Sequence, residues 1–133
     1  MKFCFRTLLI LGGFLFLSAC SFGVSVAGTV VDMLSGQPVG NATVRLFRNN
    51  ATVSATGCFA TRQTMDRSEI ELSVSAPGYK SVVIRPAKTA PGSYEARVAL
   101  VPENSVGESK GVMEEISQSH YEILARACPV WQK

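Results

Sequence analysis

From Val24 to Pro102 the chain alternates between apolar and polar positions with a period of two. In Glu69-Ile70-Glu71-Leu72-Ser73-Val74-Ser75 the apolar side chains fall at 70, 72 and 74. An extended segment with that spacing turns one face to a core and the other to solvent. Val44 and Leu46, then Val98 and Leu100, repeat the pattern. Turn signals interrupt it at Ser35-Gly36-Gln37-Pro38, Asn49-Asn50, Ala76-Pro77-Gly78 and Ala90-Pro91-Gly92. Gly and Asn supply positive φ there, and Pro presets the corner. Short strands separated by turns roughly every 8–12 residues are the signature of an all-β sandwich. The pattern predicts seven strands, at about Val24–Asp32, Ala42–Arg48, Thr52–Thr56, Cys58–Arg62, Glu69–Ala76, Ser81–Arg85 and Tyr94–Val101.

After Pro102 the period changes. Glu103 to Gly111 is polar and Gly-containing, and reads as a linker. From Val112 to Ala127 the residues Val112, Ile116, Ile123, Leu124 and Ala127 recur at helical spacing, with Met113 and Tyr121 at the flanks. Glu114 and Glu115 at the start and Arg126 at the end would suit the dipole of a helix over 112–127. Pro129 ends it.

The N-terminal residues are of another kind. Lys2 and Arg6 precede an apolar run from Thr7 to Phe16, 10 residues long. A membrane-spanning helix needs about 20, so this run reads as a secretory leader. Behind it, Leu17-Ser18-Ala19-Cys20 resembles the lipobox of bacterial lipoproteins. The resemblance implies cleavage before Cys20 and a diacylglyceryl group on its sulfur, usually with an N-acyl chain. Stable anchoring takes more than one acyl chain, and this modification supplies it. Ser21, rather than Asp, follows the cysteine, which implies an outer-membrane position facing the periplasm. The alternative is an ordinary signal peptide cut after Ser25-Val26-Ala27, far from the apolar run and inside the first strand. The resulting organisation is a signal peptide at 1–19, a lipidated N-terminus and tether at 20–25, a sandwich at 26–102, and a linker with helix at 103–133.

This changes the meaning of composition. Without the leader 114 residues remain, enough for one core. Lys2 and Arg6 are two of the 13 Lys and Arg, so 11 remain against 10 Asp and Glu. A chain so close to neutral lacks the basic excess of a nucleic-acid binder. Cys4 leaves with the leader and Cys20 takes lipid. Cys58 and Cys128 remain, in a compartment where disulfides persist. An intramolecular bridge between them is the expectation; two free thiols or an intermolecular bridge are the alternatives.

Within the strands, Gly28-Thr-Val-Val-Asp32, Ser35-Gly-Gln-Pro-Val-Gly-Asn-Ala-Thr-Val-Arg-Leu46, Gly57-Cys-Phe59 and Ser75-Ala-Pro-Gly-Tyr79 occur in one order. In these motifs the chain resembles the carboxypeptidase regulatory-like domain over about residues 26–101. The resemblance implies a seven-stranded prealbumin-like, or transthyretin-like, sandwich with an Ig-like layout. The family often has Asp before the Gly of its G-x-F motif, where this chain has Thr56. The C-terminal helix is an addition to that fold. If Phe59 points into the core, Cys58 points out, and a Cys58–Cys128 bridge would pin the helix to the outer surface of a sheet. The alternative is a helix that docks on a partner.

No catalytic constellation is legible. His120 is the single histidine. It has neither the spacing of a metal cluster nor a nucleophile to serve. The His-x-x-Glu pair of zinc carboxypeptidases is absent because position 123 is Ile. Asn41-Ala-Thr and Asn50-Ala-Thr match glycosylation sequons but read as turn residues. These features point to a non-enzymatic envelope lipoprotein without cofactor or metal, attached to the membrane and serving as a structural or protein-interaction module. The alternative is a glycan- or peptidoglycan-binding module, with Trp131 the only tryptophan to carry it.

Overall fold

The structure, a computed structural model, describes residues 10–11, 14–15, 23–65 and 69–128. Cys20, Pro129 and Trp131 lie outside these residues. A two-residue antiparallel ladder joins Ile10–Leu11 to Phe14–Leu15. Eight strands and one helix follow, in the order β1 (Gly23–Asp32), β2 (Thr43–Leu46), β3 (Asn49–Thr52), β4 (Cys58–Thr64), β5 (Leu72–Ser75), β6 (Val82–Ile84), β7 (Gly92–Leu100), β8 (Lys110–Ile116) and α1 (Gln118–Ala127).

The strands form two four-stranded sheets, β8-β7-β1-β4 and β3-β2-β5-β6. All pairings are antiparallel except that of β1 with β7, which run parallel with Val24 opposite Gly92 and Asp32 opposite Leu100. The inner faces meet in one core, with Val24, Val26 and Val30 of β1 against Leu46, Leu72 and Val74 of the small sheet. Phe59 and Tyr94 are its large aromatic members. Gly28 sits opposite Ala96 on β7, and a Cβ there would overlap the Ala96 carbonyl.

Two sequence expectations fail. The strand expected at Thr52–Thr56 is displaced to β3, so Asn49 and Asn50 are strand residues paired with Leu46 and Arg45. The hairpin turn is Phe47-Arg48, and Phe47 has φ 56°, an unusual value for an aromatic residue. Phe47 packs against the core, and that packing outweighs the turn preference of the asparagines.

The helix expected from Val112 splits in two. Residues 110–116 form β8 along the free edge of β7, and the seven-strand count becomes eight. Met113 is 5% exposed and Val112 51%, the alternation of a strand. An open sheet edge offers unpaired backbone groups, and pairing with it decides the conformation of a segment whose side chains suit either period. Glu114 and Glu115 therefore lie in a strand and not in a helical first turn. The helix starts after Ser117, whose Oγ accepts from the His120 N–H at 3.1 Å. Arg126 is in its last turn. Its buried residues are Tyr121 and Ala125, whereas Ile123 is exposed.

Candidate functional site

Alternation along the large sheet turns Ala27 and Ala60 outward, and α1 covers them. Tyr121 and Ala125 pack on these two alanines in a second, smaller cluster, with Ile116 and Leu124 at its margin. The small side chains let the helix lie close to the sheet. The Arg62 guanidinium stands 5.7 Å from the centre of the Tyr121 ring, within cation–π reach. Burial raises the Tyr121 phenol above its ordinary pKa, and the Arg62 charge opposes that shift. Ser93 Oγ donates to Gln118 Oε1 at 2.6 Å and ties the start of the helix to β7.

The other end of α1 is held covalently. Cys58 and Cys128 form a disulfide with Cα atoms 5.7 Å apart and a sequence separation of 70. Cys128 is fully buried and Cys58 half-buried. Around Cys58 the turn closes on itself: Ser54 Oγ lies 2.8 Å from Thr56 Oγ1 and 3.0 Å from Cys58 Sγ. Thr56 thus uses its hydroxyl locally, at the position where an acidic residue would project. Gly57 makes the turn at φ 78° beside the Val30 carbonyl.

The two ends of the sandwich differ. At the end where β1 finishes, Asp32 organises the following turn. Its Oδ1 accepts from the backbone N–H groups of Leu34 and Ser35, and its Oδ2 accepts from the Tyr79 hydroxyl at 2.8 Å. The Tyr79 hydrogen bond, then the backbone donors, hold the Asp32 carboxyl below its ordinary pKa, and the same bond raises Tyr79. Lys80 Nζ donates to the carbonyls of Ser105 and Gly107, both at 2.7 Å, and fixes the loop before β8. These turns display apolar side chains to solvent: Leu34 is 66% and Val106 99% exposed, with Met33 less so. The alternation did not mark them, because they lie in turns.

At the other end, Asn49 Nδ2 donates to Gln63 Oε1 at 2.6 Å and joins the Phe47-Arg48 turn to β4. Burial raises Tyr94 above its ordinary pKa, and its hydroxyl donates to the carbonyls of Ala90 and Lys88. A cleft of about 310 Å³ nearby is lined by Arg45, Phe47, Glu69, Glu71 and Ser73. Arg85 bridges Glu71 at 2.5 Å across its margin.

His120 lies exposed on the first turn of α1, and its backbone N–H donates to Ser117 Oγ. Among the described residues no three His, Cys, Asp or Glu side chains are grouped to hold a metal ion. No helix among them is long and apolar enough to cross a membrane. Asn41 and Asn50 are both exposed.

Two facing antiparallel-rich sheets with a helix on one outer surface define a prealbumin-like sandwich. The model of the carboxypeptidase regulatory-like domain matches residues 25–101, more than half of the chain, and the protein belongs to that family. Among solved structures, it is similar to a protein of unknown function from Bacteroides fragilis NCTC 9343, with 26% identity and a TM-score of 0.46. That likeness covers 66% of this chain and 31% of the other. It is also similar to catechol 1,2-dioxygenase from Acinetobacter sp. ADP1, with 16% identity and a TM-score of 0.41 over 71% of this chain and 51% of the enzyme. The chain thus spans less than two thirds of either. None of the curated proteins matches it.

Proposed function

We propose that the protein is a lipid-anchored envelope lipoprotein whose sandwich is a non-enzymatic structural or protein-interaction module. The observation that carries this reading is the Leu17-Ser18-Ala19-Cys20 motif, which stops three residues before β1. Three residues span roughly 10 Å when extended, so the domain works at the membrane surface. Two features support the reading. The Cys58–Cys128 pairing suits an oxidising compartment. The exposed Leu34 and Val106, at the end away from the tether, are the kind of side chains a protein partner covers. Ser21 after the cysteine favours the outer membrane, facing the periplasm.

Labelled palmitate tests the anchor. The expected result is incorporation into the mature chain and its loss in Cys20→Ala. A photo-crosslinking residue at Leu34 tests the partner. One stoichiometric envelope protein in the crosslinked product is expected, and none would leave the interaction role without support.

The cleft at the tethered end favours a second reading, a glycan- or peptidoglycan-binding module. It combines an aromatic ring with carboxylates and a guanidinium, the groups that bind a sugar's apolar face and its hydroxyls. Saturable binding of peptidoglycan fragments, weakened by Glu69→Gln, would establish it.

A further inference from the structure

The register shows which side chains gather where the chain enters the sandwich. Gly23 pairs with Thr64, and Val24 with both Gln63 and Gly92. The Phe47-Arg48 turn is bonded to Gln63. Leu46 is opposite Leu72, which is opposite Ile84, so the segment before β5 and the loop 85–91 share this end. The Tyr94 hydroxyl bonds hold Lys88 in that loop.

The charges of the two ends differ in sign. At or near the entry end stand Arg45, Arg48, Arg62, Arg85 and Lys88, against Glu69, Glu71, Glu115 and Glu122. At the far end stand Asp32, Glu103 and Glu108, against Lys80 and Lys110. Asp66 and Arg67, outside the described residues, carry opposite charges. Phe47 and Met65, at the entry end, pack on the core. Its turns project the exposed cations Arg48 and Lys88, whereas Arg85 is bridged to Glu71.

We infer that this end is an electrostatic contact surface for the anionic headgroups of the bilayer that holds the chain. The inference rests on the anchoring reading above. A tether of roughly 10 Å is close to the Debye length of about 8 Å at physiological ionic strength. The end is thus held where the surface potential of an anionic membrane attracts Lys and Arg. The contact depends on lipid charge and on salt. It stands the sandwich upright, with its acidic end and Leu34 turned away from the membrane.

The test uses the full-length lipidated protein in vesicles of phosphatidylcholine, with or without phosphatidylglycerol. Amine acylation of Lys88 and Lys110, both exposed and at opposite ends, is followed by mass spectrometry. In anionic vesicles Lys88 is expected to react about threefold more slowly than in neutral ones, with Lys110 unchanged. The difference should vanish in about 0.5 M salt, where screening is strong. It should also shrink in Arg48→Glu protein that still floats with the vesicles. Equal Lys88 rates in both vesicles, on protein that floats with them, would overturn this inference alone. So would shielding of Lys110 instead of Lys88. Protein that floats with neither vesicle would overturn the anchoring reading and this inference together.

Discussion

Gly28 and Asp32 lie four residues apart on β1, and each is fixed by a different force. At Gly28 the force is steric. The Ala96 carbonyl occupies the space a Cβ would need, and both atoms belong to paired backbones that move only with the sheet. Gly28→Ala is expected to cost about 2–3 kcal/mol, read as a lower midpoint in chemical denaturation. At Asp32 the force is electrostatic. Its carboxyl is held below the usual 3.8 chiefly by the Tyr79 hydroxyl, then by two backbone N–H groups. A depressed folded-state pKa stabilises the fold above the unfolded value and loses that contribution as pH falls through the folded one. Tyr79→Phe removes the leading cause but leaves the N–H donors. The Asp32 titration, followed by NMR at the carboxyl carbon, is then expected to move up toward 3.8. Acid unfolding should become less steep below that pH.

For whole elements, α1 is the least independent part of the fold. Ten residues make too short a helix to persist alone in water. It relies on Tyr121 and Ala125 against two alanines and on the bridge at Cys128. Tyr121→Ala is expected to cost about 3 kcal/mol. Hydrogen exchange should locate the loss in α1 before β1 or β7. Removing the bridge with Cys128→Ser frees a loop of 70 residues in the unfolded chain, worth about 4 kcal/mol in the chain-entropy model. The midpoint in denaturant should fall accordingly while β7 remains protected. The sandwich was legible in the sequence because burial on one face imposes period two on Ile70-Glu71-Leu72-Ser73-Val74. The outward direction of Cys58 followed from the inward direction of Phe59. The segment 110–116 was not legible, because Val112 and Ile116 fit a helix and Val112-Met113 fit a strand. Only the open edge of β7, a property of the folded sheet, separates the two. The Phe47 turn was hidden for a related reason. Its conformation is set by a core contact that local turn chemistry does not encode.

At the scale of the molecule the proposed lipid and the sandwich are separable. Cys20 precedes β1 in the chain. Cys20→Ala protein is therefore expected to leave the membrane fraction yet keep its fold. Its denaturation midpoint should match that of the lipidated chain, and non-reduced protein should yield no alkylated thiol at 58 or 128. The candidate surfaces were less legible than the fold. Leu34 and Val106 lie in separate turns, held by the hydrogen bonds of Asp32 and Lys80, and the entry end assembles from separate stretches of chain.

The parallel pairing of β1 with β7 also sets an order in time. A ribosome makes β1 first, and one of its edges can pair early with β4. The other edge waits until residues 92–100 exist, because only β7 fills it. Contacts so distant in sequence form slowly, and an unpaired strand rich in valine is a site of aggregation meanwhile. The nascent protein therefore passes through a stage in which a central strand of its core is its most vulnerable one. Rapid export, or a holding chaperone bound to residues 23–32, would shorten that exposure.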